Sequence, residues 1–228
     1  MKKTFFNQDP LFEFENTNHH KIKDELVAFI YNDWESEQNR VAKVKDNTYV
    51  AIDSGKLMHP FVKDGVKESN FDFFERTHDV KIISNLFDFI HDCMYNVQLY
   101  MNREFCESHY YETKYAAWYH ITNNNGYHDY HAHGKTFSAF YVIHGDPNAQ
   151  ENNNGLFLFR DFTEPPETDD PFCNYPWLRH DRIYAPRQTD GSLCIFPGWI
   201  NHSAKPYTGE KDRIVMSVNS FIGNIRDK

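Results

Sequence analysis

Three histidines are the residues of this chain whose chemical type and spacing best suit a reactive site. His131 and His133 stand two positions apart, and His202 follows much later. Side chains two residues apart in a strand project from the same face, so His131 and His133 can point at one centre. Imidazole nitrogen is the commonest protein ligand of divalent ions. Three ligands on one side of an ion leave its other positions open for a substrate and O₂, so these histidines predict a catalytic non-haem Fe(II) site.

The sequence around His202 strengthens this interpretation. Residues 191–199 read as a buried strand that ends in Pro-Gly and a turn, so the chain reverses before His202. Residues 208–212 predict a hairpin, after which Arg213 opens a new strand. An arginine there can form two parallel hydrogen bonds to a carboxylate, although a surface ion pair is the plainer role for a single arginine. By alternation, the polar face of that strand carries Arg213, Val215, Ser217 and Asn219, and we expect it to line a barrel mouth.

Composition limits the class of protein. The 228 residues suffice for one sizeable domain. With 33 acidic and 24 basic residues the net charge is −9, which argues against a general nucleic-acid-binding surface because phosphate binding depends on Lys and Arg. The N-terminus does not read as a signal peptide, and no window approaches the roughly 20 apolar residues of a membrane span. Since the four cysteines lack CxxC spacing, we expect a soluble cytoplasmic protein with reduced thiols.

Apolar periodicity predicts helices at 19–34 and 79–101, with short strands between them at 49–52 and 61–62. After residue 110 the pattern changes to short β-rich runs separated by turn residues. The predicted strands are 114–122, 130–133, 137–143, 156–159, 192–196, 202–205 and 213–221. These elements predict a mainly β fold with N-terminal helices (α+β), in which a double-stranded β-helix, or jelly roll, packs on the helices.

The predicted organisation is one domain over residues 1–228. A helical scaffold with short strands occupies residues 1–110, and a jelly-roll catalytic core occupies residues 111–223. Residues 148–154 predict a hairpin loop. The Pro- and Asp-rich stretch at 161–187 is too long for a hairpin and is typical of a lid or substrate loop.

The order of these motifs resembles the Fe(II)/2-oxoglutarate-dependent oxygenases of double-stranded β-helix fold. The chain reads His-x-His-Gly from His131, Phe-Pro-x-Trp-x-x-His ending at His202, and Arg-Ile-x-x-Ser-x-Asn from Arg213. It is most similar to the 2OG-Fe(II) oxygenases of bacteria and phages with the pattern Gly-x-x-x-x-His-x-His, then Phe-Pro-x-x-x-x-His. Gly126 and the strand around Tyr141 match further positions, and the resemblance covers about residues 118–221.

The resemblance implies cofactors and residue roles. It implies that His131 and His202 bind iron and that Arg213 binds the distal carboxylate of the co-substrate 2-oxoglutarate. Tyr141 matches a position that supports the same carboxylate, and Ser217 is expected to add a hydrogen bond. The implied reaction uses Fe(II), 2-oxoglutarate and O₂, hydroxylates a C–H bond, and releases succinate and CO₂.

The chain departs from the family at the third iron ligand. Most members have Asp or Glu where this chain has His133. By alternation, Asp129 shares the face of His131 and is the alternative ligand, whereas His128 is expected to face the other way. We predict His133 as the third ligand.

Two other functions fit the same residues. A three-histidine, cupin-type dioxygenase would need no 2-oxoglutarate, and a jelly-roll binding protein would need no catalysis. Arg213 distinguishes the first of these from the 2-oxoglutarate-dependent enzyme. The acidic balance favours a small molecule or a peptide as substrate over duplex nucleic acid. No heptad pattern indicates an oligomeric state.

Overall fold

The computed structural model describes residues 1–6, 9–43, 65–134, 136–160 and 183–228. The strands predicted at 49–52 and 61–62 lie outside these residues, as does most of the predicted lid at 161–187. Within the described ranges, no helix is long and apolar enough to cross a membrane.

Two antiparallel β-sheets form the centre of the described structure. In chain order, their strands are β1 (Lys2–Phe6), β2 (Asp9–Glu15), β3 (Val66–Glu68), β4 (His109–Thr122), β5 (Gly126–His131), β6 (Phe137–His144), β7 (Phe157–Arg160), β8 (Ile183–Tyr184), β9 (Ser192–Pro197), β10 (His202–Tyr207) and β11 (Arg213–Asp227). The larger sheet has the order β1-β2-β9-β6-β11-β4-β3, and the smaller has the order β5-β10-β7-β8. Strand β8 falls inside the stretch predicted as a loop.

The described helices are α1 (His19–Lys43), α2 (Phe73–Thr77), α3 (Lys81–Met101), α4 (Arg103–Ser108) and α5 (Ala149–Asn152). The first four pack along the larger sheet, whereas α5 packs against Leu156 and Leu158 beside the smaller sheet. Both predicted helices are confirmed as α1 and α3, and α1 runs further than predicted. Helix α3 has neither Pro nor Gly, and its apolar side chains recur every three or four residues. Fully burying one such side chain stabilises the fold by about 1.5 to 3 kcal/mol. The helix buries Ile83, Leu86, Ile90, Met94 and Val97 against the sheet. The predicted mainly β class with N-terminal helices is therefore confirmed.

A second apolar core lies between the two sheets. Phe140 and Val142 of β6 belong to it, together with Phe159, Phe196 and Val215. Because side chains alternate along a strand, β6 also sends Tyr141 to the helix side, and one strand serves both cores. Val215 also lines the polar pocket described below, so the inner core supports the floor of that pocket.

The first fifteen residues contribute two strands that the sequence pattern does not predict. Strand β2 pairs with β9, placing Phe12 opposite Ile195 within the larger sheet. Glu13 interrupts the apolar pattern of β2, yet its side chain is buried because three donors satisfy the carboxylate. These donors are Lys2 Nζ, Tyr184 Oη and the backbone N–H of Arg187, at 2.9, 2.7 and 2.9 Å. The N-terminal segment therefore belongs to the same sheet as the predicted core.

Two predicted hairpins are wrong. Strands β10 and β11, joined by residues 208–212, lie in different sheets, and so do β6 and β7, joined through α5. In each case the chain crosses from one sheet to the other, as a jelly roll requires. Arg213 consequently lies across the interior from His202, with both side chains lining one pocket, instead of on a neighbouring strand.

Tyr141 does not reach that interior, so the predicted role of Tyr141 in binding the co-substrate is wrong. Its side chain is fully buried on the helix side of the sheet. His19 Nε2 lies 2.8 Å from the carbonyl of Ile143, which can only accept, so Nδ1 of His19 accepts from the Tyr141 hydroxyl at 2.7 Å. Asn16 donates a further hydrogen bond to this hydroxyl, at 3.1 Å. Tyr141 therefore ties the start of α1 to the sheet.

We predict that Tyr141→Phe lowers the free energy of unfolding by about 1 to 2 kcal/mol, because His19 loses its buried donor. Urea denaturation measures this change. The affinity for 2-oxoglutarate should stay within about twofold of wild type, a difference of about 0.4 kcal/mol, because Tyr141 does not line the pocket. A large loss of 2-oxoglutarate affinity with unchanged stability would instead support the role predicted from the sequence.

Candidate active site

Three imidazoles converge where the two strands β5 and β10 meet. His131, the last residue of β5, stands directly opposite His202, the first residue of β10. Their ring centroids are 4.3 Å apart, and the ring of His133 lies 5.1 Å from that of His131 and 5.0 Å from that of His202. The three potential ligand nitrogens all lie within 4.8 Å of one another. The structure therefore brings together all three of the predicted metal ligands.

Backbone carbonyls set the tautomers of two of these rings. Nδ1 of His131 lies 2.8 Å from the carbonyl oxygen of Asp129, and Nδ1 of His202 lies 2.9 Å from that of Ile200. Because a carbonyl only accepts, Nδ1 carries the proton in each ring and Nε2 keeps its lone pair. Such hydrogen bonds are the usual support of a metal-binding histidine, since they hold the ring in the ligating orientation.

His133 is positioned differently from the other two histidines. The predicted strand at 130–133 ends at His131 in the structure, so His133 lies beyond it. The backbone N–H of His133 donates to the carbonyl of Gly198 at 2.6 Å. The turn before His202 therefore holds His133 beside the other two imidazoles.

A β-bulge changes which residues of β5 face the site. His131 pairs with His202, but His128 pairs with Ala204, so three residues of β5 span the length of two on β10. The alternation assumed from the sequence is therefore broken. His128 lines the pocket, contrary to the prediction, and the exposed Asp129 reaches the site through its backbone carbonyl alone. The structure does not bring the carboxylate of Asp129 into the group of imidazoles.

Arg213 lies in the same pocket as a buried cation. The residue is 6% exposed, and burial lowers its pKa to about 10. Its hydrogen-bond partner is the amide oxygen of Gln188, at 3.4 Å. Among the residues that the structure describes, no carboxylate lies within ion-pair distance of Arg213. A buried guanidinium without an anion is costly, so this arrangement favours an anionic ligand.

Thr122 adds a hydroxyl beside this guanidinium. It stands directly opposite Arg213 in the pairing of β4 with β11, so both side chains share one face. Its Oγ1 is buried and, within the described part of the chain, has no hydrogen-bond partner. A carboxylate bound by Arg213 would satisfy this donor. Thr122 is a residue that the motifs missed, although alternation along β4 relative to β11 could have indicated it.

Nine further residues line the pocket beside the three histidines and Arg213. Ser217 lines it, with Oγ 3.5 Å from Nδ1 of His120, so its predicted contact with 2-oxoglutarate stays a prediction. Phe157 stacks on His202 with ring centroids 5.0 Å apart and 17° between the planes. Other lining residues absent from the predicted set are Glu68, Trp118, His120 and His128.

The protonation state of the imidazoles suits a divalent metal. Burial lowers the pKa of His131 below its ordinary value, against the opposing effect of the hydrogen bond to Asp129. Burial lowers the pKa of His202 further, and the neighbouring His131 and His133 act in the same direction. Both rings are therefore neutral at pH 7, as a metal ligand must be. Together with the unsatisfied groups at Arg213 and Thr122, the residues fit Fe(II) and a dicarboxylate co-substrate.

Comparison with known proteins identifies the class. Residues 116–219 match the model of a family described as "Putative 2OG-Fe(II) oxygenase". The matched segment covers slightly less than half of the chain and is similar to the 2-oxoglutarate- and Fe(II)-dependent oxygenases that the sequence motifs resemble. Members of this family use Fe(II), 2-oxoglutarate and O₂. No curated protein matches the chain.

Two solved structures are similar to the chain. A prolyl-4-hydroxylase from Pseudomonas putida is 10% identical, with 92% of this chain and 91% of that chain covered and a TM-score of 0.52. A prolyl hydroxylase from Trichoplax adhaerens, solved with a peptide fragment of the hypoxia inducible factor oxygen degradation domain, is 12% identical over 91% of this chain and 94% of that chain, with a TM-score of 0.46. The likeness to the first structure confirms the predicted double-stranded β-helix.

We predict that the metal-free protein loses stability as the pH falls below about 6.5, the ordinary pKa of histidine. Because the pKa of His202 is lowered in the folded state, the unfolded chain binds the proton first, and stability falls with pH. Urea denaturation between pH 7.5 and pH 5.5 measures the effect. His202→Gln should show a smaller loss over this range. An identical loss in this variant would show that His202 is not responsible.

Proposed function

We propose that this enzyme hydroxylates a small molecule or a peptide, with His131, His133 and His202 holding Fe(II) and Arg213 holding the distal carboxylate of 2-oxoglutarate. The observation that carries this proposal is the buried Arg213 guanidinium, which lines one pocket with three convergent imidazoles. A dicarboxylate that spans the pocket would neutralise the guanidinium at one end and reach the metal at the other.

Each residue has a defined task in this reaction. The three imidazoles would supply nitrogen ligands to Fe(II), which would provide the redox chemistry of 2-oxoglutarate and O₂. Arg213 and Thr122 orient the distal carboxylate, while Gln188 positions the guanidinium. Overall, one oxygen atom of O₂ enters the substrate C–H bond as a hydroxyl, and the other is incorporated as 2-oxoglutarate becomes succinate and CO₂.

Aromatic packing shields the ligands from water. Phe157 stacks on His202, and Phe196 contacts the same ring with centroids 5.0 Å apart. His202 is only 2% exposed. This apolar wall excludes solvent from one side of the site, which limits side reactions of the co-substrate.

A three-histidine, cupin-type dioxygenase is the second candidate, because the donor set contains three imidazoles and no carboxylate. Such an enzyme has no use for a buried arginine in the pocket, so Arg213 favours the 2-oxoglutarate-dependent reaction. The family match makes the chain an enzyme, and the non-catalytic binding protein is not retained.

The substrate class and compartment remain predictions from the sequence. The net charge of −9 opposes binding to duplex nucleic acid, which supports a small molecule or a peptide. The cytoplasm is proposed as the compartment on the cysteine pattern. The structure describes three cysteines, and all of them are free thiols: Cys93, Cys106 and Cys194.

We predict that His133→Ala and His202→Ala each weaken Co(II) binding by at least roughly a hundredfold, since even loss of a hydrogen-bond partner of a ligand costs about 10- to 100-fold. Calorimetric titration with Co(II), used in place of iron, measures this. Asp129→Ala is the matched control and should bind Co(II) as wild type does. The assignment of His133 fails if Asp129→Ala loses the metal and His133→Ala keeps it.

We predict that Arg213→Ala weakens 2-oxoglutarate binding to the Co(II)-loaded protein by about 3 kcal/mol, roughly a hundredfold, through the loss of charge-assisted hydrogen bonds. Co(II) affinity should be nearly unchanged. Arg103→Ala is the control, because Arg103 is an exposed arginine paired with Glu107 on α4. Unchanged 2-oxoglutarate affinity in Arg213→Ala, or no binding by wild type, would favour the cupin-type reaction.

A further inference from the structure

A carboxylate from the N-terminal half of the chain lies in the active-site pocket. Glu68 ends the three-residue strand β3, which precedes the segment matched by the family model. Its side chain is 7% exposed, and it lines the pocket together with the three candidate iron ligands. The family match therefore assigns Glu68 no role, although the fold carries it into the site.

The pocket contains one charge of each sign among its described lining residues. Glu68 is the acidic residue and Arg213 is the basic residue, while the five lining histidines include the three candidate ligands. Arg213 is assigned above to the distal carboxylate of 2-oxoglutarate. The carboxylate of Glu68 thus lies in the same pocket as the candidate metal ligands.

A row of imidazoles connects Glu68 with the metal ligands. Oε1 of Glu68 lies 3.2 Å from Nε2 of His120, directly across the pairing of β3 with β4. The ring of His120 lies 4.4 Å from that of His128, which in turn lies 6.5 Å from that of His131. Because the side chains of Glu68 and His120 are only 7% and 11% exposed, water screens the charge less than at the surface.

The three candidate ligands carry no negative charge that could offset the charge of a bound metal. A carboxylate ligand would lower the charge of a bound Fe(II) by one, whereas three neutral imidazoles leave it at +2. A buried charge of +2 needs compensation, and a nearby carboxylate supplies it without ligating. The same carboxylate repels the dianionic 2-oxoglutarate, so its effects on metal and co-substrate have opposite signs.

We propose that Glu68 is a positioning residue that compensates the charge of the metal in the three-histidine site, in place of the missing carboxylate ligand. This inference rests on the proposed function. Glu68 acts through the electric field in the pocket. Its contribution is strongest before 2-oxoglutarate binds, when Glu68 is the single carboxylate among the described lining residues.

The test is a pair of calorimetric titrations on Glu68→Gln, which removes the charge and keeps the shape. Co(II) affinity should fall about tenfold, which is the lower end of the 10- to 100-fold loss typical when a residue that supports the metal ligands is replaced. The affinity of the Co(II)-loaded variant for 2-oxoglutarate should rise about threefold, because the repulsion is lost. A merely structural role predicts that both affinities fall together. That result, or no change in either affinity, overturns the proposal.

Two controls separate charge from folding. Glu13→Gln removes the charge of another buried carboxylate that does not line the pocket, and both affinities should stay at wild-type values. Glu68→Asp retains the charge and should keep Co(II) affinity within about threefold of wild type, since it preserves the electrostatic effect. A tenfold loss in Glu68→Asp would overturn the proposal even if Glu68→Gln fails to fold.

The wild-type titrations distinguish this proposal from the one on which it rests. If wild type binds neither Co(II) nor 2-oxoglutarate, the proposed function itself fails, and the role of Glu68 fails with it. If wild type binds both and Glu68→Gln binds them equally well, only the role of Glu68 is refuted.

Discussion

The pairing of β5 with β10 is the constraint on which the site depends. It places His131 opposite His202 at one end of the smaller sheet, and backbone carbonyls two residues before each ring set its tautomer. The turn that ends β9 then brings His133 to the same point through one backbone hydrogen bond to Gly198. The three imidazoles converge because short-range backbone geometry, rather than contacts among the rings, determines where each one lies. A substitution that shifts this register would move every candidate ligand at once.

The site also depends on the two sheets facing each other. The connection from β10 to β11 crosses between them, so Arg213 approaches the histidines from the opposite wall. Burial lowers the pKa of Arg213 to about 10, and Thr122 stands beside it with an unsatisfied hydroxyl. One wall therefore holds the candidate metal ligands, and the other holds the groups proposed to bind an anion. An arrangement of this kind selects a ligand with two functional ends, which is what a keto dicarboxylate provides.

The sequence was sufficient for the parts of the site that depend on local patterns. His131, His133, His202 and Arg213 belong to short motifs, and alternation along β11 was predicted correctly because its pairing with β4 is regular through this part of the strand. The other features of the site depend on contacts between residues that are far apart in the sequence. Every residue from Phe137 to Ile143 is buried, so alternation on β6 did not reveal that Tyr141 faces the helices. The bulge that turns His128 inward leaves no clear mark in the sequence, and Glu68 enters the pocket through a strand of only three residues.

Whether the pocket binds Fe(II) and 2-oxoglutarate together can be measured by anaerobic titration of the Fe(II)-loaded protein with 2-oxoglutarate, followed by visible absorption. A keto acid that chelates Fe(II) produces a weak charge-transfer band. We expect this band to rise and saturate at one 2-oxoglutarate per iron in wild type, and to be absent in His202→Ala. No band in wild type at saturating Fe(II) and 2-oxoglutarate would contradict the assignment of this site.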